Sequence, residues 1–412
     1  MKVLFLHDSF PPQSFGGGGI SVHELAVSLK NAGHDASVIT TCRKESDAGE
    51  FDYQGVKVFR IASNYHERWR AYRGLYNRPV VRKVEDIIRR MKPDVVHVSN
   101  VHYHLSYHCL RIAKRHAKAV VFTARDVMTF NYTKLETKRY LENFDCHTTW
   151  LDHLQQARKR WNPLRNFFIR RYLKYADKKI AISKALQKAL AQNGINNVDV
   201  IYNGINAEEW RVDQDVVAGF QAKHNLFNKK VLLFGGRLSA AKGAEKVLEA
   251  LVRVVKEDPG AMLLIMGKID WYAEVMKQKA KELGVEKHLI FTGWIERDEI
   301  KAAYAASDVV LMPSICFDSF GRVNIEAMAS QKPVIGTCYG GTPEIVVDGV
   351  TGYIVNPLYP EEIAEKTLDL LKNPKKAEKF GQAGYERVRK YFNLDDKVKE
   401  YIAIYKVLGG KK

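Results

Sequence analysis

The chain has 412 residues, 46% hydrophobic and 11% aromatic, with 65 Lys and Arg against 47 Asp and Glu and a net charge of +18. That length exceeds one ordinary hydrophobic core and fits about two domains, and the composition excludes a disordered or fibrous chain. The charge is one-sided: residues 1–205 hold 34 basic and 18 acidic side chains, net +16, and the remainder 31 and 29, net +2, so an acidic partner such as a membrane surface, a phosphorylated acceptor or a nucleic acid is expected for the first half.

The opening, MKVLFLHDSFPP, has an apolar run only from Val3 to Leu6, shorter than a signal-peptide core. No apolar run reaches the about eighteen residues of a membrane span. The five cysteines, Cys42, Cys109, Cys146, Cys316 and Cys338, are scattered and form no CxxC pair. That usage suits a reducing cytoplasm and argues against a disulfide framework and a zinc site.

KVLFL predicts a first strand, followed by a loop with Pro11, Pro12 and the glycines Gly16, Gly17, Gly18 and Gly19, then an amphipathic helix ISVHELAVSLKNAG that Gly33 stops. ASVITT predicts a second strand. Strand, glycine loop, helix, strand is how a doubly wound α/β domain begins. A dinucleotide site is not supported: the glycines do not read GxGxxG, and the second strand ends in Thr40, Thr41 and Cys42 with no acidic residue for a ribose. A glycine loop before a helix still favours an anion.

VKVFRI, VVHVS and AVVFTA predict further strands, the last ending at Arg125-Asp126. From Leu154 to Ala191 the pattern reads as helical and basic, interrupted at Pro163, with Arg158, Lys159, Arg160, Arg165, Arg170, Arg171, Lys174, Lys178 and Lys179 interleaved with Trp161, Phe167, Phe168, Tyr172 and Tyr175. Such a stretch either lies on an anionic membrane surface or packs its aromatics inward and leaves a solvated basic face. No recognised nucleic-acid fold or motif accompanies the charge, so nucleic acid is not expected as a partner. After VDVIYNGIN the domain boundary is placed near residue 206: residues 1–205 form one domain, 206–390 a second, and 391–412 a C-terminal helix that can cross back to the first.

The second half alternates more cleanly. KKVLLFGG, AMLLIMG, HLIFTG, VVLMPS, KPVIGT and TGYIV predict strands with helices between them, and so a second parallel sheet. Two such α/β domains face each other across a cleft at the carboxyl ends of their strands, where these folds bind ligands. Arg237 follows the first of the six, Lys242 opens the next helix, Asp318 and Gly321 follow VVLMPS, and Gly340, Gly341 and Glu344 follow KPVIGT. Arginine offers a fork and lysine a point charge to a diphosphate, alongside amides at helix starts. Asp318 and Glu326 are acceptors suited to hydroxyls, and a diphosphate flanked by hydroxylated rings describes a nucleotide sugar.

In order along the chain, GGGGISVHELAVSLKNAGH, PDVVHVSN, IYNGIN, GGRLSAAKG, FDSFGRVNIEAMASQKPVIGT and GGTPEIVVDGVTGYIV resemble the family-four retaining glycosyltransferases of the GT-B fold over nearly the whole length. The resemblance implies that Arg237 and Lys242 hold the donor diphosphate and that Glu326 accepts ribose hydroxyls. It places the backbone of Phe320, Gly321, Arg322 and Val323 against the distal phosphate and sugar, Trp294 at the base, and two of Gly16 to Gly19 near the reaction centre. Asp318 stands where the family usually has the first Glu of its E-x7-E pair, one methylene longer. Arg125-Asp126 replaces a frequent His-Asp; the arginine either meets an acidic donor sugar or acceptor or pairs with Asp126.

The implied reaction is same-face transfer from a UDP- or GDP-sugar to a glycan, lipid-linked or other cell-envelope acceptor, with no cofactor and no metal, since cations neutralise the diphosphate. Asp213-Gln214-Asp215 is a DxD in the linker and is read as coincidental. The expected setting is the cytoplasm or the inner membrane face. Two other classes fit the same features: an epimerase of nucleotide sugars with the same architecture, told apart by turnover without an acceptor, and a binding module for an anionic surface, told apart by function that survives loss of Glu326.

Overall fold

The computed structural model describes residues 1–14, 16–236 and 238–410. They form two units, one of Met1–Tyr140, Asp145–Gly204 and the chain from Leu394 onward, the other of Leu141–Phe144 and Ile205–Asn393.

The first unit is built on β1 (Lys2–Leu6), β2 (Asp35–Cys42), β3 (Gly49–Tyr53), β4 (Val56–Ala62), β5 (Val95–Ser99), β6 (Ala119–Ala124), β7 (Lys178–Ala181) and β8 (Val198–Val200). Their order is β3-β4-β2-β1-β5-β6-β7-β8. Every pairing is parallel except β3 with β4, which are antiparallel neighbours joined by a short turn. Strands covered on both faces need apolar side chains at successive positions, and Val3, Leu4, Phe5 and Leu6 are all buried. Chain order reverses between β1 and β5, so the crevice of this sheet opens at their carboxyl ends.

The helix Leu394–Gly409 packs Val398, Tyr401 and Tyr405 into the same core as Val3, Phe5, Val38, Val95 and Val121. At its centre His97 is fully buried, with Nδ1 2.6 Å from the Tyr405 hydroxyl and Nε2 2.7 Å from Thr123 Oγ1. Burial pushes its pKa down to about 3, so it is neutral at physiological pH.

Two sequence expectations for this unit are corrected, and packing settles the direction faced by residues 165–173, which the sequence leaves open. The helix expected from Ile20 begins at Gly17 and runs to Asn31, so Gly17, Gly18 and Gly19 form its first turn and only Gly16 precedes it. A Cβ on Gly19 would lie 2.7 Å from the carbonyl of Ser9, and one on Gly18 3.1 Å from His7 Nε2. Close approach of that turn to the chain leaving β1 therefore outweighs the poor helix propensity of glycine, about 1 kcal/mol per residue. The stretch 154–191 is not helical throughout, because β7 lies inside it and the helices Trp150–Ala157, Arg165–Leu173 and Lys184–Gln192 are separate. The inward face of Arg165–Leu173 is Arg165, Ile169 and Leu173, while Phe167 is 55% and Phe168 37% exposed. Packing has thus turned an arginine in and two phenylalanines out.

The second unit carries β9 (Lys230–Phe234), β10 (Ala261–Met266), β11 (Leu289–Gly293), β12 (Val309–Met312), β13 (Val334–Thr337) and β14 (Gly352–Val355). The order is β11-β10-β9-β12-β13-β14 with all pairs parallel. The helix Ala244–Glu257 buries Val247, Leu248, Leu251 and Val254 against this sheet; truncating one of these leucines to Ala costs about 2–5 kcal/mol. Order reverses between β9 and β12, which fixes where a ligand crevice must open.

Candidate functional site

In the second unit the loops leaving β9, β12 and β13 converge at that reversal. Arg237, the first predicted cation, lies outside the described residues. Lys242 ends the turn Ala240–Lys242, and Gly243 caps the helix that follows with a left-handed φ of 76°. A side chain on Gly243 would collide with the carbonyl of Pro313, and the amide of Ile315 donates to Ala241 O at 3.0 Å. The turn after β9 is thereby locked to the loop after β12, and the Lys242 ammonium reaches Asp318 Oδ2 in an ion pair. Its two side chains are only 18% and 12% exposed.

Asp318 is fixed through its backbone as well. Its carbonyl accepts from the Gly341 amide at 2.7 Å, and any side chain on Gly340, whose φ is 68°, would strike the Asp318 main chain. Ser314, fully buried, places its hydroxyl 3.5 Å from Asp318 Oδ2 and is itself held by Thr337, whose hydroxyl donates to Ser314 O at 2.7 Å.

Phe320 is buried, and Gly321 opens the helix Arg322–Ala329 with φ 70°, ψ 66°. A helix beginning this way lacks intrahelical acceptors for its first amides. Val323 packs against the end of β9, where a Cβ on Gly235 would lie 3.0 Å from Val323 Cγ1. Arg322 Nε donates to Glu326 Oε1 at 2.7 Å, and the buried Tyr304 hydroxyl donates to Oε2 at 3.1 Å. Burial first, then the Glu326 charge, hold the Tyr304 pKa well above its usual value, so it remains a donor. Each Glu326 oxygen keeps a further acceptor position. Trp294, after β11, is 54% exposed, with Lys268 Nζ 5.4 Å from its ring centre.

The unit therefore brings Lys242, Asp318, Gly321, Arg322, Val323 and Glu326 to the crevice between β9 and β12. Tyr304 and Ser314 carry no local sequence signal, whereas Gly340, expected among the groups at strand ends, serves here to let the chain pass against the Asp318 backbone. Asp213-Gln214-Asp215 sits at the start of the helix Gln214–Lys223, and no metal-binding group of three His, Cys, Asp or Glu occurs among the described residues.

In the first unit Gly18, of the four glycines, faces a cluster made by strand ends. Beside Gly18 lie His7 after β1, Asn100 after β5 and Arg125 after β6. Arg125 donates from Nε to Ser99 Oγ and from Nη1 to Asn203 Oδ1, both at 2.8 Å. Asp126 accepts from Asn100 Nδ2 at 3.1 Å and from the Met128 amide at 2.9 Å. Burial raises its pKa against the pull of Met128, Arg70 and Arg165. His7 Nε2, buried at the helix start, has no hydrogen-bond partner among the described residues. Asp8 takes three amides, from Tyr103, His104 and Leu105 at 2.6–2.8 Å, yet full burial still raises its pKa to about 6. His7, Asp8 and Asn203 carry no sequence signal of their own; only the strand order gathers them.

Comparison with known proteins gives a consistent set of likenesses. Residues 15–209 match the family model described as Glycosyltransferase Family 4, and residues 219–387 the one described as Glycosyl transferases group 1. An uncharacterized glycosyltransferase of Methanocaldococcus jannaschii is 26% identical over 99% of this chain and 98% of its own. The sucrose-phosphate synthase structure from Thermosynechococcus elongatus superposes with a TM-score of 0.79 at 19% identity, covering 100% of both chains. The Anabaena protein Alr3699/HepE, solved with UDP and glucose, gives 0.72 at 20% identity over 98% of this chain and 99% of its own.

Proposed function

We propose that this chain, which belongs to the family-four-like glycosyltransferases of the GT-B fold, moves a sugar from a UDP- or GDP-sugar to an acidic or lipid-linked acceptor, with retention and without a metal. The observation that carries this reading is the row of two cation–carboxylate pairs, Lys242–Asp318 and Arg322–Glu326, on either side of Gly321 at the reversal of the second sheet. The binding of UDP by the Anabaena protein supports a uridine nucleotide.

In this reading a donor diphosphate takes the Lys242 ammonium, Arg237 and the first amides after Gly321, and its arrival frees Asp318 to accept a hydroxyl of the transferred sugar. Glu326, its orientation fixed by Arg322 and Tyr304, accepts from the ribose. Trp294 offers a face to the base. As the bond from the anomeric carbon to the diphosphate oxygen breaks, negative charge grows on the leaving group, where a fixed cation and aligned amides act most strongly. A leaving-phosphate oxygen takes the acceptor hydroxyl's proton while that hydroxyl attacks from the same face, which gives retention. Lys242 and Arg237 supply the positive charge that a metal would otherwise bring.

Calorimetric titration with UDP, GDP and ADP in EDTA should show binding of one of the first two; heat from none would sink the donor assignment. The anomer of the transfer product, read by NMR, tests retention, and inversion would overturn the mechanism.

A second reading, contact with an anionic membrane, is favoured by the outward turn of the stretch 150–171. Trp150, Leu151, Leu154, Leu164, Phe167 and Phe168 are exposed there beside the exposed cations Arg158, Lys159, Arg170 and Arg171. Apolar side chains among cations suit an interfacial surface. No helix of the described residues is long and apolar enough to cross a membrane.

A further inference from the structure

The first unit contains a narrow pocket away from the glycine turn, lined by Arg70, Arg160, Arg165, His102, Tyr107 and Tyr132 among others. It is narrow: the about 340 Å³ of unfilled space around it takes in open solvent at its mouth. Three guanidinium groups share it. Arg165 is only 7% exposed; its Nη2 donates to the Met128 carbonyl and its Nη1 to Asn166 Oδ1 at 2.7 Å, with the Tyr132 ring centre 4.7 Å away. Arg70 lies 3.7 Å from the ring centre of Tyr103 and donates to Met128 Sδ at 2.9 Å. Arg160 makes no hydrogen bond or ion pair among the described residues.

None of the three is ion-paired within 4 Å among the described residues. Asp8 and Asp126 are the carboxylates that feel Arg70, and Asp126 also feels Arg165; both are hydrogen-bonded to backbone amides, and Asp126 also to Asn100, with its Oδ2 3.8 Å from Nε2 of the pocket-lining His102. Buried or half-buried guanidinium groups are costly to hold without a counter-charge. Arginines repel one another, so three around one narrow space, with only Asp8 and Asp126 felt there as counter-charges, favour an anion between them. Three forks arriving from separate elements suit a tetrahedral oxyanion with several acceptor oxygens; a planar carboxylate is satisfied by one fork.

We propose that this pocket binds a phosphomonoester group carried by the acceptor, so that Arg70, Arg160 and Arg165 select a phosphorylated acceptor. This rests on the glycosyltransferase reading above, with acceptor recognition in the first unit. A soluble sugar phosphate and a phospholipid headgroup present the same chemistry.

The test uses the whole chain with UDP present in excess, to occupy any nucleotide site, and two probes: inorganic phosphate by calorimetry at low salt, and vesicles containing phosphatidic acid against pure phosphatidylcholine by co-sedimentation. Arg160→Ala is the informative variant, because Arg160 holds nothing else in place; Arg165→Ala risks the fold. Loss of a charge-assisted bond predicts at least about a tenfold weakening, with partial recovery in Arg160→Lys. Weakening in the phosphate arm points to a soluble acceptor and weakening in the vesicle arm alone to a lipid one; either supports the pocket. Equal binding by wild type and Arg160→Ala in both arms, or no binding by wild type in either, overturns it. UDP affinity should be the same in both proteins. A flat UDP titration would break the donor assignment alone, since the phosphate contrast is read between two variants of the other unit.

Discussion

The two units share an α/β plan and differ in how they handle charge. In the second unit, nearly neutral in sequence, Lys242 and Arg322 at the crevice are each held by a carboxylate. In the first, with 39 Lys and Arg against 20 Asp and Glu and so a net charge of +19, Arg70, Arg160 and Arg165 surround one pocket without such partners, and buried histidines stay neutral. Eleven of the thirteen histidines lie in the first unit, so acid should act on that unit first. The contrast teaches that a paired cation is pre-positioned for exchange with an incoming anion, whereas an unpaired set already demands one.

The sharpest way to break this contrast is Lys242→Ala. If the paired lysine is held ready for a diphosphate, sugar transfer should fall at least about a hundredfold, the scale of losing one charge-stabilising group, while the far-UV spectrum stays unchanged. Unchanged turnover would make the Lys242–Asp318 pair purely structural.

Acid offers the next contrast. Burial lowers the folded pKa of His97 to about 3 from the usual 6.5. Its contribution is therefore present above pH 6.5 and lost as pH falls toward 3, by about 1.4 kcal/mol per pH unit, or about 2 kcal/mol at pH 5. His7, also lowered to about 3, acts in the same direction. Asp8 opposes them, because its raised pKa of about 6 favours the folded state as pH drops from there toward 3.8. Asp126, also raised by burial, acts with Asp8, while His102 and His104, both lowered by burial, act with His7 and His97. With four histidines against two aspartates, hydrogen exchange at pH 5 should show the β1–β5 core of the first unit opening before the β9–β12 core. Equal protection loss in both cores would contradict the assignment of neutral buried histidines.

The smallest expected effect is at the surface. Phe167→Ser with Phe168→Ser should reduce sedimentation with anionic vesicles severalfold at physiological salt and leave nucleotide binding untouched. Equal sedimentation of the double variant would assign the attraction to charge alone.

The second unit was the more legible from sequence. Each of its six strands holds an apolar run, as expected of a parallel sheet covered on both faces, with only the edge strand β11 half-exposed along its length, and the chemistry-bearing residues follow strand ends. In the first unit β3 and β7 escaped notice because GEFDY lies at a half-exposed edge and KKIA has only two apolar residues inside a basic stretch. The start of the first long helix was misplaced because Gly17 to Gly19 look like a loop wherever nothing is known to press against them. The direction faced by 165–173 could not be read either: periodicity places Arg165 and Ile169 on one side and leaves open whether that side is buried.

Sequence by itself determined the two-domain α/β plan, the family and the crevice residues Lys242, Asp318, Gly321 and Glu326, because apolar runs, glycines and strand-end residues are local signals. Tertiary structure decided which groups meet. Lys242 and Asp318 are 76 positions apart, and Arg70 and Arg165 reach one pocket from different elements. Strand order and side-chain packing bring them together, and neither is encoded in the residues on either side of each position.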